Sequence, residues 1–152
     1  MTLLLSRSDL ESVLDPAACL AALRHGFTAD AAGAAARRIV MPLPDGGAPE
    51  ESGSATVLLP GLVPGIPAYT VKVNAKFPRS RPALRGVVCL HALGSGELLA
   101  LLDSATVTAW RTGLAAALGT HLLARPGAGT VAVIGRGRRR NSSCAACPNC
   151  GR

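Results

Sequence analysis

Aromatic residues are scarce: Phe, Trp and Tyr together make up 3% of the 152 residues. A core without them has to come from Leu, Val and Ala, and with 49% hydrophobic residues the chain has enough of these to bury one. Residues 1–5 carry no basic residue ahead of their apolar ones, and nothing like a cleavage site follows, so no signal peptide is expected. Long apolar runs are lacking too. The best membrane-span candidate, residues 105–124, is dominated by alanine and interrupted by Arg111 and His121, so no membrane partner is expected and the chain reads as soluble and cytoplasmic. There is no internal repeat, which sets solenoids aside. Acidic residues are missing from the tail, where Arg136, Arg138, Arg139, Arg140 and Arg152 lie; taking these five from the formal +7 leaves +2 for everything before them. The basic character therefore belongs to the tail, and no nucleic-acid partner is expected, because no aromatic residue is interleaved there for stacking. Cys19 and Cys89 stand alone and read as buried thiols.

Residues 2–5 form a short strand candidate. Ser8-Asp9-Leu10-Glu11 has the form of a capping box, the serine bonding the third helical amide and the glutamate reaching back, and opens a short helix to Leu14. Asp15-Pro16 marks a second start, an N-cap followed by proline at the first helical position. Leu20, Leu23 and Phe27 then share one helical face, and the helix ends by Gly33. From residue 37 to residue 102 the pattern changes to strands. Residues 38–43 are one, Asp45-Gly46-Gly47 is a turn, and residues 55–59 are the next, ending at Pro60-Gly61. Residues 69–77 alternate, with Tyr69, Val71 and Val73 on one face and Thr70, Lys72 and Asn74 on the other. Residues 79–85 make a basic, proline-containing loop. Residues 86–93 and 97–102 make a hairpin across Gly94-Ser95-Gly96.

A long apolar helix follows, capped by Asp103 or Ser104. After a break, Val131-Ala132-Val133-Ile134 leads into Gly135-Arg136-Gly137. A continuously apolar strand followed by a glycine turn is how a dinucleotide-binding βαβ unit begins. Such a strand is buried on both faces, and the glycines let the backbone approach a pyrophosphate. The fingerprint asks for Gly or Ala three residues after the second glycine, and Arg140 stands there. The fold class expected is α/β: an α+β part with an antiparallel sheet, a long helix, and the first strand of a truncated Rossmann domain. His121, on an alanine-rich helix, reads as a packing histidine, and His25 and His91 have no acidic or cysteine partner at ligand spacing, so no metal site is expected in residues 1–137.

Taken in order, Lys72-Val73-Asn74, Phe77-Pro78, the hairpin with its Gly96 turn, Leu102-Asp103-Ser104, Thr108-Ala109-Trp110-Arg111-Thr112, Leu123-Ala124-Arg125-Pro126 and Ile134-Gly135-Arg136-Gly137 resemble the ornithine cyclodeaminase/mu-crystallin family. Upstream, Arg38-Ile39-Val40-Met41-Pro42 is similar to the strand that carries the family's first arginine. The resemblance implies a dimerisation and substrate-binding domain over residues 1–102. It implies a linking helix and the start of a Rossmann domain over residues 103–137, binding NAD or NADP, and leaves residues 138–152 as an anomalous Arg/Cys-rich tail. It implies a homodimer and a small amino-acid or cyclic-imine substrate. In ornithine cyclodeaminases hydride passes from the amino acid to NAD+, the side-chain amine attacks the imine, ammonia leaves, and hydride returns to give L-proline. Relatives reduce cyclic imines such as pyrroline-2-carboxylate, or oxidise alanine, and the residues present do not separate these activities. By the same resemblance Arg38, Lys72 and Arg111 bind the substrate carboxylate, Lys72 is catalytic, and Arg111, Gly135 and Gly137 bind the cofactor. The chemistry agrees: an arginine fork holds a carboxylate through paired charge-assisted hydrogen bonds, and a lysine supplies a point charge. Without the resemblance, each of these cations reads as a solvated surface charge or half of an ion pair.

The tail departs from the family. A small residue and then glutamine should follow the second glycine, where Arg138 and Arg139 stand. The family's catalytic aspartate has no counterpart in these residues, so the polypeptide as written is expected to be truncated and inactive. Given G/C-rich codons and a one-base shift at Gly137, the tail reads Ala-Gln-Ala-Glu-Leu, the family's own continuation; a frameshift is the expected origin. The rival reading takes Cys144, Cys147 and Cys150 at face value, as three thiolates of a zinc or iron–sulfur site that lacks a nearby fourth ligand.

Overall fold

The computed structural model describes residues 1–29, 38–43, 53–130, 132 and 134. In chain order its elements are β1 (Leu3–Leu5), α1 (Arg7–Val13), α2 (Pro16–Thr28), β2 (Ile39–Pro42), β3 (Ala55–Leu62), β4 (Ala68–Lys76), β5 (Leu84–Ala92), β6 (Leu98–Asp103) and α3 (Ser104–Leu123). The chain divides into two compact units. The first, Met1–Leu10 with Asp30–Val107, holds the sheet, the start of α1 and the first turn of α3; the second, Glu11–Ala29 with Thr108–Arg152, holds α2 and the remainder of α3.

Six strands form one sheet in the order β1-β6-β5-β4-β3-β2. The run from β2 to β6 is an antiparallel meander, because each connection is short enough to turn back on its neighbour. The expected antiparallel sheet is corrected at its edge: β1 joins β6 in parallel, Leu3 opposite Ala100, which makes the sheet mixed. The hairpin between β5 and β6 closes where it was expected, with Gly96 at φ +73° donating its N–H to the Ala92 carbonyl at 2.9 Å. A register shift at Leu90/His91 follows, so that Leu90 faces Ala100 while His91 faces Leu98. β3 does not stop at Pro60-Gly61 but runs on to Leu62 against β4. Past Leu58 it has no β2 neighbour, and a proline that lacks an N–H breaks no ladder on an open edge.

The first helix begins two residues earlier than its sequence signature indicated. Ser6 and Asp9 make the cap: the Ser6 N–H donates to Asp9 Oδ2 at 2.8 Å, the Ser6 hydroxyl to the same oxygen at 2.6 Å, and the Asp9 N–H reaches back to Ser6 Oγ at 3.5 Å. These bonds from Ser6, first its hydroxyl and then its amide, hold the Asp9 carboxyl below its ordinary range. α2 starts as expected, with the Ala18 N–H donating to Asp15 Oδ1 at 2.8 Å and Pro16 in the first turn. No residue of α2 is buried, and Phe27 is exposed. In the first unit the buried apolar residues are Leu10, Val88 and Ala100; in the second they are Leu114 and Leu118, one helical turn apart on α3. Among the described residues no helix is long and apolar enough to cross a membrane. Of the strand expected at residues 131–134, only Ala132 and Ile134 are described, neither in a strand, with Ile134 exposed; the remainder lies outside the described residues.

Candidate functional site

The alternation along β4 sets the site. Lys72 lies opposite Leu59 of β3 and Val88 of β5, and Val88 lies opposite Leu102 of β6. Residues directly opposite one another project from the same face, so these four form one row. Arg38 stands one residue outside β2. Since Ile39 pairs with Leu58, continuation of the ladder brings Arg38 into line with Leu59. On that extension of the ladder Arg38 would share a face with Lys72, two strands apart, with roughly 10 Å between their backbones. Arg38 is exposed and Lys72 half-buried. Two long cationic side chains at that separation can converge on one carboxylate placed between them.

The next row on this face is built from Val57, Asn74 and Gly86. Val87 pairs with Asp103, so the row continues to Ser104, the first residue of α3. Ser104 is fully buried, and its hydroxyl donates to Asn74 Oδ1 at 2.5 Å. Gly86 stands between these two partners. A Cβ there would collide with Asn74 Oδ1 and with the Val73 carbonyl oxygen, so the Asn74 amide crosses space that only a glycine leaves open. The alternation of residues 69–77 already sets Asn74 two residues from Lys72 on the same side of the strand; its bond to Ser104, thirty residues away in the chain, is what no local pattern carries.

Asp103, of the two cap candidates, caps α3. Its Oδ2 accepts the Thr106 amide at 2.8 Å and the Thr106 hydroxyl at 2.5 Å. Partial burial pushes its carboxyl up, but the bonds from Thr106 and Ala105, together with the charge of Arg7, outweigh this and hold it below the usual carboxylate range. That environment suits a permanent cap and not a proton donor near neutral pH. On the opposite face of the sheet Tyr69 and His91 stack with ring centroids 4.9 Å apart, and His91 Nδ1 lies 3.1 Å from the Gly96 carbonyl oxygen.

Arg111 is exposed on α3, in the second unit. Gly135, Gly137 and the cysteines of the tail lie outside the described residues. The described residues thus offer a donor set for an amino-acid carboxylate, while the glycine turn proposed for a dinucleotide is not among them. Among the described residues no three or more His, Cys, Asp or Glu are grouped to hold a metal ion. Burial, and the nearby Asp15 carboxylate, push the Cys19 thiol up, away from a reactive thiolate.

The sequence model of the ornithine cyclodeaminase/mu-crystallin family matches residues 2–150. L-lysine cyclodeaminase of Streptomyces rapamycinicus is 52% identical over 90 residues, which cover 52% of this chain and 26% of that enzyme. Among solved structures, Δ1-pyrroline-2-carboxylate reductase of Thermococcus litoralis, in complex with NADH and L-proline, superposes with a TM-score of 0.77 at 26% identity, covering 95% of this chain and 45% of that one. An archaeal alanine dehydrogenase dimer with bound NAD superposes with a TM-score of 0.75 at 23% identity, over 95% of this chain and 44% of that one. The chain therefore spans less than half the length of the relatives it matches.

Proposed function

The chain belongs to the ornithine cyclodeaminase/mu-crystallin family, whose members are NAD(P)-dependent enzymes, and from that premise we propose that it serves cyclodeamination of a basic amino acid, L-ornithine to L-proline with release of ammonia. The observation that supports this reading is half-buried Lys72 on one face of β4, in a row with Leu59, Val88 and Leu102, which a one-residue extension of the β2 ladder would carry on to Arg38. Arg38 and Lys72 grip the substrate carboxylate, with Arg111 as a third cation, and the Lys72 ammonium supplies a point charge beside the reacting carbon. Bound NAD would take up the hydride and return it; Arg111, Gly135 and Gly137 are the residues proposed to hold it, with NADP as the alternative. In this reading residues 1–102 are the dimerisation and substrate domain, residues 103–137 link to and begin the nucleotide domain, and residues 138–152 are a tail outside both. The protein is cytoplasmic.

A homodimer is part of the proposal. The sheet face opposite Lys72 presents Leu4, Ile39, Met41, Leu58 and Leu62, all exposed, around half-buried Val71, Val73 and Val87. An apolar surface of this kind marks an association site, and a second copy would cover it.

A second reading, reduction of pyrroline-2-carboxylate or a related ketimine, is favoured by the likeness to the reductase that holds NADH and L-proline. Alanine dehydrogenation draws on the same carboxylate grip. The test supplies the chain with NAD+ and L-ornithine or L-lysine, and separately with NADH and pyrroline-2-carboxylate. Proline or pipecolate with ammonia supports the first reading, and NADH consumption alone moves the assignment to the second. No turnover in either with L-proline still bound leaves the expected truncated, inactive form of such an enzyme, and no turnover with no binding of L-proline would leave a non-catalytic sheet module.

A further inference from the structure

We propose that Asn74 is a substrate-binding residue whose side-chain N–H donates to the carboxylate held by Lys72, its amide being turned for that task by Ser104 and by the absence of a side chain at Gly86. The proposal rests on the reading of this face as a carboxylate site. Asn74 and Lys72 lie two residues apart on β4, on one face, with their backbones roughly 6–7 Å apart. The Asn74 oxygen is taken: it accepts the hydroxyl of Ser104, a residue with no exposure. A side-chain amide is planar, so fixing the oxygen over Gly86 turns the nitrogen away from β5. No described residue accepts a hydrogen bond from that nitrogen, and Asn74 is only half-buried, so its two N–H groups remain reachable. Three separate elements (β4, β5 and the first residue of α3) thus agree on one orientation of one amide. What they leave open is a side-chain N–H beside a lysine, and a carboxylate oxygen is an acceptor that the two can share. A role limited to satisfying Ser104 would need only the oxygen.

The sequence contains three asparagines, Asn74, Asn141 and Asn149, and no glutamine. The 15N-labelled chain therefore shows three side-chain NH2 pairs, and the Asn74 pair is the one removed by Asn74→Asp. Titration with L-proline should shift that pair together with the backbone amides around Lys72. Asn74→Asp keeps an oxygen for Ser104 but replaces the donor with a like charge, so L-proline affinity should fall more than tenfold while the backbone spectrum stays folded; Ser104→Ala frees the amide and should weaken binding several-fold. If the amides around Lys72 shift while the Asn74 pair stays still and Asn74→Asp binds as tightly as the parent, Asn74 is structural only and the proposal fails. If no sheet amide responds to L-proline, the carboxylate reading of the face fails first and the proposal falls with it.

Discussion

Val87 and Val88 are neighbours in β5 and face opposite ways. Val88 is 6% exposed and stands in the row of Lys72, Leu59 and Leu102; Val87 is half-buried in the row of Leu58, Val73 and Asp103. One face holds the buried apolar residues Val88 and Ala100 together with the cations proposed for substrate. The other is apolar, open, and free of the proposed site. Because the side-chain period in a strand is two, a slip of one residue would exchange the two sets entirely. The proposed recognition chemistry and the proposed self-association can thus be altered separately, provided the register holds.

The most damaging way to test this division is to put the same charge on each face. Val88→Asp buries a carboxylate without a partner and should cost several kcal/mol, enough to unfold a marginally stable chain; urea unfolding followed by circular dichroism reads it. Leu62→Asp, at a position 47% exposed on the other face, should leave the fold intact and shift the sedimentation profile of the proposed dimer towards monomer. Equal loss of structure in both variants would erase the distinction between the faces.

A smaller effect is expected where β6 becomes α3. Asp103→Ala removes the cap and should cost about 1 kcal/mol. The sign of the pH dependence follows from the direction of its shift. The folded carboxyl titrates below its ordinary range, so its contribution is complete above that range and is lost as pH falls through the folded value. Asp103→Asn should therefore flatten the acid side of the stability profile, and an unchanged profile would remove the capping account. The smallest effect belongs to neither face. The Met1 amine and Glu97 carboxylate, 3.8 Å apart and both exposed, form an edge contact, and Glu97→Gln should change stability by less than about 0.5 kcal/mol.

What could be read from the residues alone was what depends on near neighbours. The alternation of residues 69–77 set Lys72 with Thr70 and Asn74 on one side of β4, as the pairing has it, and Asp15-Pro16 marked the start of α2, because both patterns are local. The cap of α1 was misplaced by two residues, since Ser8–Glu11 and Ser6–Asp9 satisfy the same spacing and only the folded hydrogen bonds choose between them. Pro60-Gly61 read as a stop, yet an unpaired edge let β3 continue. The parallel pairing of β1 with β6 and the clearance that Gly86 leaves for Asn74 are contacts between segments far apart in the chain, and no local pattern records them.

The parallel edge has a consequence for how the chain is made. Leu3 finds its strand partner only when Ala100 is available. At translation rates of about 5–20 residues per second, β1 waits on the order of 5–20 seconds after leaving the ribosome before β6 follows it. The meander from β2 to β5 can pair during that interval, each strand docking on the one before. β1, although made before the other strands, is thus among the last to be incorporated. An N-terminal fusion would hang beside the final closing event of the sheet, whereas the pairings that precede it would proceed as before.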